Sequence, residues 1–267
     1  MEWKEQVKNR FSVKSDANKW SNIYTTSTPN VEAVAFRSRR DFTVKYIVDN
    51  ITENSNVLDI GCGAGPVLKE LSRHNYNLTG IDYSFDMLKH AKNNLKEHSN
   101  NIPLIRSDCE SIPYPDDFFE CIICLGVISY VESIDKTLDE FNRILKPGGT
   151  LILSYRNELN SILLDPFNLI KFIIKYPFRK MSPTNKKIGQ SLPRKLVLDK
   201  IEKTQFNLQE EKQIGFGNLT FKDNILSDGK LAIKYNAFLH GLLSALNLNK
   251  VYRVLSDVHI MVLIKPL

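Results

Sequence analysis

The stretch "NVLDIGCGAGPVLKEL", Asn56 to Leu71, joins a short apolar run to three alternating glycines and then to a helical pattern. Apolar residues at 57, 58 and 60 suit a buried strand, and Val67, Leu68 and Leu71 recur at helical spacing. Between them, Gly61, Gly63 and Gly65 allow a tight bend and a close backbone approach to a ligand, because no Cβ stands in the way. Pro66 suits the first turn of a helix, whose free amides then point toward the same bend.

Working outward, the same alternation continues. Strands are expected at 76–82, 102–108, 118–127 and 150–156, and helices at 84–97 and 133–149 with Ser84 and Ser133 as N-caps. "FFECIICLGV" (118–127) is almost continuously apolar, as a strand buried on both faces should be. Upstream, apolar residues from Val31 to Ile51 recur at helical spacing, with Arg37, Arg39 and Arg40 mid-run. Strands alternating with helices predict an α/β fold, a Rossmann-like doubly wound sheet. Downstream, 193–206 reads as a helix, 208–216 as a strand, 223–248 as mostly helix and 257–266 as a closing strand. Segments 157–191 and 217–256 read as additions to the sheet within the same domain. Residues 1–30 are polar with scattered aromatics and form a separate N-terminal segment before a core of 31–156.

Composition sets outer limits. The 267 residues are 42% hydrophobic and 25% charged, ordinary for a globular chain. The N-terminus lacks the apolar centre of a secretory leader, and no apolar run reaches the roughly 20 residues of a spanning helix. Cys62, Cys109, Cys121 and Cys124 read as reduced thiols, which favours a cytoplasmic location. Cys121 and Cys124 lie three apart on one expected strand, so they point to opposite faces and are not expected to share a metal. Residues 1–150 carry a net charge of −3 and residues 151–267 a net of +9.

The glycine bend alone does not choose a ligand. A dinucleotide fingerprint would need glycine where Pro66 stands. An acid inside the strand, Asp59, would repel a pyrophosphate and welcome an ammonium or sulfonium. Asp82 follows at the end of the second strand, where a ribose-binding acid belongs.

"VLDIGCGAG", "GIDYS", "LIRSDCESIPYPDDFFECIICLGVISYV" and "ILKPGGTLILS" together resemble the successive motifs of the class I S-adenosylmethionine-dependent methyltransferases, over about residues 40–156. The resemblance implies seven mostly parallel strands with an antiparallel last one, and S-adenosyl-L-methionine as cofactor, leaving S-adenosyl-L-homocysteine. It implies that Asp59, Gly61, Cys62, Gly63 and Gly65 lie under the methionine part and that Asp82 holds the ribose hydroxyls. Tyr83 and Met87 would flank the nucleoside, and Asp108 and Cys109 would meet the adenine. Leu125 and Gly126 would meet the methionine ammonium. In many relatives the N-terminal stretch, here with Trp20 and Tyr24, folds over the cofactor as a lid.

Methyl transfer from a sulfonium is an in-line displacement governed by orientation and exclusion of water. It requires a base only when the acceptor must lose a proton, and no metal is expected. Tyr130 is the candidate catalytic residue. Tyr24, Tyr155, Arg156 and His240 are expected on the acceptor side, whereas His259, inside the closing strand, is expected to point into packing.

The acceptor is expected to be a small molecule such as a sugar, a lipid-linked glycan or another biosynthetic metabolite. One alternative is a membrane quinone or lipid. Another is a regulatory protein that keeps the cofactor without transferring from it. The stretch 165–180, "DPFNLIKFIIKYPFRK", is basic and amphipathic, and suits contact with a membrane surface or a lipid-linked substrate. Nucleic acid is disfavoured: no RNA-binding appendage is visible, and "LGVISYV" lacks the Asn/Asp-Pro-Pro-Tyr/Phe motif of base methylators.

Overall fold

The computed structural model describes residues 3–12, 23–24, 30–96, 102–158, 189–221, 224–227 and 229–267. Trp20 and the basic stretch 165–180 lie outside the described residues.

The chain opens with helices α1 (Trp3–Ser12) and α2 (Val31–Asn50). The alternation read from the sequence then follows as β1 (Asn56–Ile60), α3 (Pro66–Leu71), β2 (Asn77–Asp82), α4 (Phe85–Leu95), β3 (Leu104–Arg106), β4 (Phe119–Leu125), α5 (Ile134–Ile144) and β5 (Leu145–Arg156). After β5 come α6 (Arg194–Lys203), β6 (Asn207–Ile214), the short strands β7 (Leu219–Phe221) and β8 (Asn224–Ser227), α7 (Lys230–Ala245), α8 (Asn249–Leu255) and β9 (Val258–Ile264).

Seven strands form one sheet in the order β3-β2-β1-β4-β5-β9-β6. β1 pairs in parallel with β2 and β4, β2 with β3, and β4 with β5. β9 runs antiparallel to both β5 and β6, so β6 points the same way as the first five. Six strands are therefore parallel and the closing strand is reversed, the Rossmann-like sheet that the resemblance implies. Strand order reverses between β1 and β4, and the crevice beyond their carboxyl ends is the natural ligand site of such a sheet.

Alternate strand residues feed a core on each face. Leu58, Ile60, Ile122 and Cys124 pack toward α5 and α6, while Val57, Cys121 and Ile123 pack toward α2, α3 and α4. The two cysteines of the Cys-x-x-Cys thus face opposite layers as free thiols. Ser84 caps α4 by accepting from the Met87 amide at 3.3 Å, and Ser133 caps α5 by accepting from Lys136 at the same distance.

Two boundaries differ from the sequence reading. α5 stops at Ile144, and the Pro-Gly-Gly turn belongs to the start of β5. The Gly148 amide finds the Lys265 carbonyl, and the Lys265 amide finds the Gly149 carbonyl, so the end of the chain supplies partners that no local pattern could reveal. The helix read over 223–248 begins only at Lys230, because 224–227 pairs with 219–221 as a hairpin.

Candidate functional site

A cavity of about 490 Å3 opens beyond the carboxyl ends of β1, β2 and β4. Its floor is formed by Gly61, Cys62, Gly63, Ala64 and Pro66 of the loop after β1. Gly63 has φ +55°, and a Cβ there would meet no atom within 4 Å. That side chain would stand in the cavity itself, so the bare Cα is space kept for a ligand. The loop is tied to the next strand by Asp82: Oδ2 accepts the Gly63 amide at 2.9 Å and Oδ1 accepts the Ser84 amide at 2.8 Å.

Two carboxylates stand close together at the ends of β1 and β2, of which only Asp82 lines the cavity. Asp59 is buried, and its Oδ2 has no hydrogen-bond partner. Burial, reinforced by the neighbouring Asp82, pushes its pKa up to about 8. Asp82 is pushed up by burial to about 6, against the pull of backbone amides from Ser84, Gly63 and Tyr83. Two buried acids with an unused acceptor form a site that a cationic, hydroxyl-bearing ligand would satisfy. An S-adenosylmethionine-like nucleoside fits that donor and charge demand, and the uncovered Gly63 leaves room for it.

Tyr83, Met87, Leu125, Gly126 and Tyr130 line the same cavity, together with Ser84, Val127 and Ser129. Helix α1 lies across them. Its Val7, Lys8, Arg10 and Phe11 line the cavity, and the Phe11 carbonyl accepts from Ser84 Oγ at 2.9 Å. The Tyr130 ring meets Phe11 edge-on at 5.1 Å and lies 5.6 Å from the Arg10 guanidinium, while its carbonyl accepts from Trp3 Nε1 at 2.8 Å.

The opposite wall comes from α2, the end of β5, the loop after β6 and the start of β9. Tyr24, Val31, Phe36, Arg39, Arg156, Asn218, Asp257 and Val258 belong to it. Arg156 pairs with Asp257 through two contacts, at 3.2 and 3.3 Å. Tyr24 meets the Phe36 ring edge-on at 5.6 Å. Burial raises the Tyr24 pKa, opposed by the Arg39 charge.

Six of the candidate site residues do not line this cavity: Asp59, Gly65, Asp108, Cys109, Tyr155 and His240. Asp108 is ion-paired with Lys4 at 2.5 Å, and Cys109 packs against the core beside it. Tyr155 is fully buried and stacks on His259 at 5.3 Å. His240 is exposed and meets Tyr252 edge-on at 5.0 Å, away from the cavity. His259 is buried in packing, between Glu211 at 2.8 Å and Ser256 at 3.0 Å.

Arg39 was not singled out from the sequence. It is only 4% exposed, its Nε lacks a partner, and its guanidinium lies over the Phe36 ring at 4.0 Å. A Cβ on Gly126 would stand 2.8 Å from its Nη1, so the charge abuts the end of β4. The available signal was spacing: Arg39, Thr43 and Ile47 share the inward face of α2.

Comparison with known proteins agrees with this geometry. A family described as "Methyltransferase domain" matches residues 58–153. The ubiquinone/menaquinone biosynthesis C-methyltransferase UbiE of Proteus mirabilis is 31% identical over 133 residues, 47% of this chain and 52% of that protein. The ubiquinone biosynthesis O-methyltransferase of Coxiella burnetii is 31% identical over 116 residues, 43% of this chain and 50% of that protein. The chain thus spans about half the length of these two relatives. A Methanocaldococcus jannaschii protein of uncharacterized function is 31% identical over 208 residues, 75% of this chain and 77% of that one. Among solved structures, the magnesium protoporphyrin IX methyltransferase of Synechocystis with bound S-adenosylhomocysteine superposes with a TM-score of 0.66 at 15% identity, covering 99% of this chain and all of that one. Motif order, sheet order and these likenesses agree: residues 58–153 form a methyltransferase domain, and the chain has the Rossmann-like fold of the S-adenosylmethionine-dependent methyltransferases.

Proposed function

We propose that the protein transfers the methyl group of S-adenosylmethionine to a small-molecule acceptor with an apolar body. The observation that carries this is the two-sided cavity, with Asp82 and an uncovered glycine loop on one side and, on the other, a wall where Val31, Phe36 and Val258 sit among Arg39, Arg156 and Asp257. When bound, the cofactor supplies a methyl group on a positively charged sulfur, a leaving group that needs no acid.

The residues of this chain then divide the work. Asp82 binds the ribose hydroxyls while holding the Gly63 loop in place. Asp59 and Arg39 complement the ammonium and carboxylate of the methionine part, which accounts for Asp59 Oδ2 and Arg39 Nε each being buried without a hydrogen bond. Tyr83 and Met87 flank the nucleoside. Asp108 acts on the adenine side through Lys4, which it holds on α1, since neither it nor Cys109 lines the cavity. α1 excludes water from the cofactor. Tyr130, at the cavity wall beside Arg10 and Phe11, orients the acceptor and takes its proton where one must leave.

Val31, Ala35, Phe36 and Val258 suit an aromatic or isoprenoid-like body, and Glu32, Arg156, Asn218 and Asp257 leave polar groups for its hydroxyl- or carbonyl-bearing end. The activities of these relatives, two quinone methyltransferases and a sterol 4-C-methyltransferase of Caenorhabditis elegans, support an apolar acceptor. The fold itself does not require transfer: the [4+2]-cyclase SpnF superposes with a TM-score of 0.65 at 16% identity.

The test is incubation of the protein with methyl-labelled cofactor and lipid extracts or water-soluble metabolites. Label passing into the organic phase supports the reading. Nucleoside binding without label transfer to either fraction would overturn it in favour of a non-transferring protein.

A further inference from the structure

Helix α7 carries two faces of different character. Inward, Ala232 and Leu243 are buried, and Asn236 donates to the Gly217 carbonyl and accepts from the Phe216 amide. Gly217 is part of the cavity wall, so α7 is fastened to the acceptor side. Outward, Leu231 is 65% exposed, Phe238 64%, Leu242 42% and Leu246 58%. These positions are spaced by seven, four and four residues and share one stripe of the helix. Val251 and Val254 extend the exposed apolar surface onto α8, and Ile225, at the cavity mouth, begins it.

Charge on this surface has one sign. Between Gly229 and Ser256 there are four bases and no acid. Lys230, Lys234 and Lys250 make no ion pair among the described residues, and Arg253 reaches Glu211 only at 3.7 Å. Lys230 and Lys234 flank the apolar stripe on one side. A soluble surface normally breaks up such a patch with charges of both signs. An apolar stripe edged by lysines with no ion pair among the described residues instead matches the acyl–headgroup boundary of an anionic bilayer. Among the described residues no helix is long and apolar enough to cross a membrane, so the match is to a surface.

We propose that the outward face of α7, with α8 beside it, docks on an anionic lipid bilayer and presents the cavity mouth to it. Docked this way, an apolar acceptor can pass from lipid to the wall of Val31, Phe36 and Val258 without crossing water. The docking claim stands on the helix face alone and does not require methyl transfer.

The test is flotation of the full chain with vesicles of phosphatidylcholine alone or mixed with phosphatidylglycerol. Wild type should float with the mixed vesicles, less so at high salt. Leu231→Ser/Phe238→Ser should lower the bound fraction about tenfold, since two apolar anchors are lost. Lys234→Glu/Lys250→Glu should lower it specifically on the mixed vesicles. Both variants should keep the wild-type melting temperature and nucleoside affinity, because these side chains are outside the cavity and the core. Failure of wild type to float, or flotation of Leu231→Ser/Phe238→Ser equal to wild type, overturns the proposal. So does a wild-type dimer in light scattering that either variant splits, which would give the face to a second copy of this chain. A failure of label transfer would leave flotation unaffected, so the two readings fail separately.

Discussion

The Lys4 ammonium lies 2.5 Å from the Asp108 carboxylate and fastens α1 across the cofactor half of the cavity. The hydrogen bond from Lys4 to Asp108 raises the lysine pKa. The pair is partly exposed and is worth about 0–1 kcal/mol to the fold. Lys4→Met should therefore change melting little but speed release of S-adenosylhomocysteine severalfold. Stopped-flow fluorescence from Trp3, whose indole reaches the Tyr130 carbonyl, reads this directly. An unchanged release rate would show that α1 does not gate the nucleoside.

Asp82 uses both oxygens on backbone amides, at Gly63 and at Ser84. Asp82→Ala removes the tether of the loop as well as the proposed ribose acceptor. Calorimetry should show nucleoside affinity weakened by about 2–3 kcal/mol. Unchanged affinity would exclude the ribose role.

Asp59 gives a pH dependence with a definite sign. Its ordinary value is 3.8, and burial beside Asp82 raises it to about 8 in the folded protein. The folded state thus keeps a proton that the unfolded chain releases, and this contribution to stability fades as pH rises from about 4 to 8. Asp59→Asn should melt higher than wild type at pH 8, by about 1–3 kcal/mol of stability. It should also bind the nucleoside more weakly at pH 8, with a smaller deficit at pH 6, where the wild-type acid is itself protonated. Equal deficits at both pH values would sink the charge role.

Arg39 is a buried charge with an unpartnered Nε, so removing it relieves a desolvation cost. Arg39→Met should show no loss of melting temperature, while nucleoside affinity falls by about 2–3 kcal/mol as a charge-assisted contact disappears. A parallel loss of both would make Arg39 merely structural.

Far from the cavity, Glu211 is the acid-sensitive point of the β6–β9 edge. Burial would raise it, but hydrogen bonds from Arg194 and His259 outweigh this and hold its pKa at about 2. Its stabilisation is present above the ordinary value of 4.5 and is lost as pH falls toward 2. In acid titrations of unfolding, Glu211→Gln should flatten that limb and cost about 3 kcal/mol at neutral pH.

Most of the sheet was legible in the sequence because buried parallel strands announce themselves as short apolar runs between capped helices. Ser84 and Ser133 stand where their caps were expected. Gly61, Gly63 and Asp82 were legible as a set because tight turn, bare loop and strand-end acid recur at fixed spacing. Arg39 was hidden, because a base on an amphipathic helix ordinarily points to water, and only packing against Gly126 shows that it does not. Tyr155 was misleading for a similar reason: its direction is settled by stacking on His259, a residue of a strand about a hundred positions later. The hairpin of β7 and β8 gave no signal, since strands of three and four residues carry too few alternations to register.

The reversed strand β9 enters between β5 and β6, pairing Leu153 on one side and Glu211 on the other with Met261. During synthesis it is the last strand of the sheet to leave the ribosome. Until then β5 is an open edge, exposed to sticking to other nascent chains. The nucleoside-side walls up to Tyr130 are already translated, whereas Asp257 and Val258 are not. Nucleoside binding can therefore favour a half-built sheet by mass action before any acceptor wall exists.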